Sequence, residues 1–108
     1  MTLEEIREKL EEIDFQIIAA VGTARSMYVE ALNQAKAGKF EEAKATVAEA
    51  DKLFAQGHDF HHDILAMQGQ GVEIPFDLML VHAEDQMMSA ECFKLVALEL
   101  MELYEKKA

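Results

Sequence analysis

The stretch with the most chemical content is Leu80-Val81-His82-Ala83-Glu84-Asp85-Gln86-Met87-Met88-Ser89-Ala90. It sets a histidine and a carboxylate three residues apart in the most apolar helical part of the chain. Positions i and i+3 share a helix face, so His82 and Asp85 are neighbours on a surface that otherwise reads as core. Polar groups on such a surface need partners or a function. A neutral imidazole keeps a lone pair on one ring nitrogen near neutral pH, which makes it a good phosphoryl acceptor. The phosphoramidate it forms is labile, which suits relay to another carrier. Such a transfer asks for in-line positioning and charge compensation more than covalent help. The other reading of the same position is a structural histidine on an apolar face. Asp85 sits either at the solvated rim of a lone chain or at a contact between copies of it.

A helix from about residue 76 or 77 to about 106 must carry these groups, with Asp77 well placed as its N-cap. Three neighbouring rows of this helix are largely apolar. The first is Leu78, Val81, Asp85, Met88, Cys92 and Leu95; the second is Met79, His82, Gln86, Ser89, Phe93, Val96, Leu100 and Leu103. The third is Leu80, Ala83, Met87, Ala90, Ala97, Met101 and Tyr104. A bundle helix needs one apolar face of roughly 100°. The surplus points to self-association through this helix. Cys92 reads as a small core residue rather than a reactive thiol.

Two more helices precede it. Leu3, Ile6, Leu10, Ile13, Ile17, Ala20, Ala24, Met27 and Ala31 alternate spacings of three and four, predicting a helix over 3–37 opened by a Thr2/Glu5 capping box. Gly22 costs about 1 kcal/mol against alanine in a helix interior, so it is expected to admit a close helix or ligand. Arg25 shares a row with Ile18, Val21, Tyr28 and Leu32. It is either a snorkelling arginine or an anion-facing guanidinium near His82. Gly38 suits a C-terminal cap, and the short link makes the next helix an antiparallel neighbour. That helix spans about 40–67, burying Phe40, Ala43, Val47, Ala50, Leu53, Phe54, Phe60, Ile64 and Met67. His58, His61 and His62 cluster on it at zinc-compatible spacing, though without a closed ligand set; solvated or hydrogen-bonded histidines are the favoured reading. The two glycines and single proline of residues 68–75 end it.

The chain has 108 residues, about half of them apolar, and a net charge of -11. That is one all-α domain, residues 1–108. The acidity argues against nucleic-acid binding and anionic membrane surfaces, while favouring encounter with a basic protein. One cysteine excludes an intramolecular disulfide. The acidic, amphipathic start is no signal peptide, and no apolar run spans a bilayer; a cytoplasmic protein without membrane insertion is expected.

The motif around His82, together with Gly22-Thr23-Ala24-Arg25-Ser26 and Lys39-Phe40-Glu41-Glu42-Ala43, resembles the lactose/cellobiose-type enzyme IIA of the bacterial sugar phosphotransferase system. The likeness covers nearly the whole chain, to Leu103-Tyr104. The family motif is His-Ala-Gln-Asp-His followed by Leu-Met; here it reads His82-Ala83-Glu84-Asp85-Gln86-Met87-Met88. The resemblance implies an antiparallel three-helix bundle that assembles as a homotrimer. It implies phosphorylation on His82 and a divalent cation on the three-fold axis, held by three copies of Asp85. Three converging carboxylates repel, and a hard ion such as magnesium suits their oxygens. Gln86 replaces the family's second histidine and is assigned, with Arg25, to the phosphoryl-binding side; Lys94 is another candidate counter-charge. Glu84 replaces a glutamine. His58 matches a histidine common in the family, whereas His61 and His62 stand where other polar residues are expected.

The leading expectation is therefore a phosphocarrier. It accepts a phosphoryl group from phospho-HPr on His82 and donates it to the enzyme IIB of the same system, for uptake of a β-linked disaccharide such as lactose or cellobiose. The alternative is a non-catalytic trimeric helical scaffold or adaptor of the same fold. Metal storage or sensing through His58, His61 and His62 is a third.

Overall fold

A 4-3 repeat runs the length of the first helix: Leu10, Asp14, Ile17, Val21, Ala24, Tyr28, Ala31 and Ala35 are all buried. The computed structural model, which describes residues 1–108, has three helices: α1 (Leu3–Lys36), α2 (Phe40–Gly69) and α3 (Leu78–Lys107). The expected capping box is present, with reciprocal Thr2 and Glu5 hydrogen bonds of 3.1 Å. After α1 the Lys39 N–H returns to the Gln34 carbonyl at 2.9 Å, and Gly38 turns the chain at φ +81°. That left-handed conformation is nearly free for glycine alone. Gly71, at φ +92°, does the same after α2. Val72 and Ile74 of the following connection pack onto the core near Ile6 and Met67.

The bundle runs up, down, up, so α3 is parallel to α1. α1 is central: it packs along both partners, while α2 and α3 meet only sparsely. The result is a rod 58 × 20 × 16 Å. α2 buries Ala43, Ala50, Gly57, Ile64 and Met67, with Phe40, Val47, Leu53, Phe54 and Phe60 half-buried around them. α3 buries Ala83, Met87, Ala90, Ala97 and Met101, the third of the rows read from the sequence. Alanines at these contacts let the backbones approach closely.

The glycine that permits close helix packing is Gly57, not Gly22. A Cβ on Gly57 would overlap Val21 Cγ1, whereas one on Gly22 meets no atom within 4 Å. Gly22 lies on the flank of α1, where the chain itself leaves open space.

The first two rows of α3 stay largely uncovered. Leu78, Met88 and Leu95 are 70%, 63% and 60% exposed, and Val81, Val96, Leu100 and Leu103 are also exposed. α1 adds exposed Phe15 and Val29. Cys92 is exposed too, so it lies on this apolar face and not in the core of one chain. No helix is long and apolar enough to cross a membrane.

Candidate phosphoryl-transfer site

α3 positions the site residues because its N-terminus is fixed. Asp77 accepts the Met79 N–H at 3.2 Å, and its carbonyl takes the Leu80 and Val81 N–H groups. His82 follows one turn later. It is exposed, and Asp85 is exposed on the next turn of the same face. Neither takes part in a hydrogen bond or ion pair within the chain. Gln86 is half-buried beside them. An imidazole held on a rigid helix, open to solvent and flanked by an apolar row, can receive a group from a protein that docks there.

Arg25 is exposed and lines a shallow depression with Ser89, Cys92, Phe93 and Val96. Ser89 is seven residues past His82, which at 1.5 Å per residue is ~10 Å along the axis. A single chain therefore brings His82, Asp85 and Gln86 together but sets Arg25 two turns away. Lys94 is already engaged. Its Nζ lies 2.8 Å from Asp51 Oδ1 and 5.9 Å from the Tyr28 ring centre, while Tyr28 Oη donates to Asp51 Oδ1 at 2.5 Å. This contact ties all three helices. Burial pushes the Tyr28 phenol above its ordinary range, and the hydrogen bond to Asp51 and its charge push the same way. Tyr28 thus stays a proton donor.

The α2 histidines separate. His61 Nε2 lies 2.8 Å from Glu84 Oε2 on α3. His58 sits edge-on to Phe54 at 5.3 Å, and His62 is exposed. No three His, Cys, Asp or Glu side chains of the chain converge on a point that could hold an ion. His61 and Glu84 are thus each other's partners.

Asp14 belongs to no motif of the sequence. It is fully buried on α1, and neither carboxylate oxygen has a hydrogen-bond partner. The signal was present: Asp14 occupies a position of the strict 4-3 repeat between Leu10 and Ile17.

Residues 12–105 match the family described as the lactose/cellobiose-specific IIA subunit of the PTS system. The chain is 34% identical over 100 residues to the lactose-specific EIIA component of Staphylococcus epidermidis, covering 93% of this chain and 96% of that protein. It is 36% identical over 97 residues to the oligo-beta-mannoside-specific EIIA component of Bacillus subtilis, covering 90% and 88%. Among solved structures, the cellobiose-specific enzyme IIA of Bacillus anthracis superposes with a TM-score of 0.86 at 34% identity, over 98% of this chain and 92% of that one. Sequence and fold agree along nearly the full length of both partners, and the chain belongs to the lactose/cellobiose-specific IIA subunits of the sugar phosphotransferase system.

Proposed function

We propose that the protein is a cytoplasmic phosphocarrier. His82 accepts a phosphoryl group from phospho-HPr and passes it to the enzyme IIB of its system. The observation that carries this reading is an exposed, unpaired imidazole at the motif histidine, on a helix whose surrounding surface is apolar and uncovered. The sugar is a β-linked disaccharide such as lactose or cellobiose, and it never touches this chain. Relatives at similar identity carry lactose-specific, oligo-beta-mannoside-specific and lichenan-specific names, so overall identity does not single out one sugar.

The working unit is a homotrimer joined through the exposed rows of α3. Three chains would bring three Asp85 carboxylates to the axis. Asp85 has no cation of its own chain beside it, and its oxygens suit one shared magnesium ion. That ion would neutralise the carboxylates and hold the subunits together. Within each subunit His82 is the nucleophile, and Gln86 presents an amide to the phosphoryl oxygens. Arg25 supplies positive charge, from a neighbouring subunit if packing brings its depression to the next His82.

Incubation with phosphoenolpyruvate, enzyme I and HPr tests the reading. One acid-labile phosphate per chain is expected, absent in His82→Ala with the helical spectrum unchanged. A wild-type protein that stays unphosphorylated would favour the scaffold alternative.

A further inference from the structure

The start of α3 holds chemistry that does not depend on phosphoryl transfer. Asp14 has no exposed surface and no partner for either oxygen. Asp77, the N-cap of α3, spends one oxygen on the Met79 N–H; its other oxygen is buried and likewise unpartnered. An ionised carboxylate without donors or a counter-ion is very costly to bury. Leu10, one turn before Asp14 on α1, lines the same recess as Asp77, and the Asp14 carboxyl lies within hydrogen-bonding reach of Asp77. Both carboxylates are acceptors, so neither can satisfy the other unless a hydrogen stands between them.

We propose that Asp14 is a carboxylic acid that donates its proton to Asp77 Oδ2, and that this shared proton clamps the beginning of α3 onto α1. The proton belongs on Asp14 because Asp77 keeps its negative charge at a helix N-terminus, where the helix dipole favours it. Burial lifts the Asp14 carboxyl to about 8, with the hydrogen bond to Asp77, the Asp77 charge and the Glu84 charge adding to it. The other ionisable groups around this end do not relieve it. His61 of α2 is committed to Glu84, and Arg7 and Glu11 of α1 line the outer recess beside Asp77. Loss of the proton leaves two carboxylates repelling across a dry contact. The first turn of α3 then loosens one turn ahead of His82.

The linkage has a definite sign. An unfolded aspartate titrates near ~3.9, so between there and about 8 the folded chain holds the extra proton. The stabilisation is complete below the unfolded value and is lost progressively as pH rises toward the folded one. Urea unfolding of the full chain, wild type against Asp14→Asn, is followed from about pH 5 to about pH 9. Asparagine keeps the shape and a donor but cannot titrate. The ratio of wild-type to variant unfolding constants is expected to climb by up to about tenfold per pH unit, then level near the folded value. A ratio constant across the range overturns the proposal. Should the variant not fold, carboxyl-carbon NMR of aspartate-labelled wild type decides. One aspartate must titrate several units above the rest; all of them titrating below ~5 overturns the shared proton. Magnesium chloride added near neutral pH covers the remaining occupant. Equal responses of wild type and Asp14→Asn support the proton, and stabilisation of the wild type alone assigns the place to a cation and overturns it.

Discussion

Tyr28, Asp51 and Lys94 show how single residues hold the bundle. Asp51 accepts from a fully buried phenol and a partly buried ammonium, each from a different helix. Asp51→Ala strands both donors, and a loss of about 1–3 kcal/mol is expected in urea denaturation. Tyr28→Phe removes one neutral donor and leaves Asp51 with Lys94, so about 0.5–1.5 kcal/mol is expected. The order of the two variants is the check, because it follows from which group is left buried and unpaired. The residue scale also reallocates charge at the site. Lys94 was a candidate to face a phosphoryl group, but its fixed place against Asp51 makes it a structural cation. Arg25, on α1, remains exposed beside α3.

At the scale of elements, α1 and α2 approach closely at Gly57 against Val21. A methyl on Gly57 collides with a β-branched side chain that a helix holds in essentially one rotamer. Gly57→Ala is therefore expected to destabilise by roughly 1–3 kcal/mol, despite the higher helix propensity of alanine. Val21→Ala should recover part of that loss in the double variant, measurable as a positive coupling in a double-mutant cycle. Gly22→Ala meets open space and should leave one chain as stable, or raise its stability by up to ~1 kcal/mol. The two glycines look alike in the sequence. They part only because α2 crosses α1 beside one of them.

The whole molecule is an acidic rod with one apolar side. Leu78, Val81, Met88 and Leu95 form an exposed apolar row, and Asp85 interrupts it. Light scattering is expected to give three times the chain mass. Met88→Lys should dissociate the assembly, because three ammonium groups would crowd one seam. Asp85→Leu should keep or tighten it if carboxylate repulsion is the main term there; complete dissociation would show instead that a bridging ion dominates. With a net charge of -11, association with a basic phosphoryl donor should slow markedly as salt rises, measured as the on-rate in stopped flow.

Much of this architecture is legible in the amino-acid sequence. Helix limits, the Thr2 cap and the surplus of apolar rows on α3 follow from spacings of three and four, and the Gly38 turn from a glycine; which of the three rows becomes core does not. Those spacings express local backbone geometry, which a single stretch of chain carries by itself. The placing of His82 and Asp85 on one face is of the same kind. The partners were not legible: Asp51 for Lys94, Glu84 for His61, Val21 for Gly57, Asp77 for Asp14. Each pair joins different helices. Which residues meet depends on how far one helix is rotated and slid along another, and only the packing of the entire core sets that register.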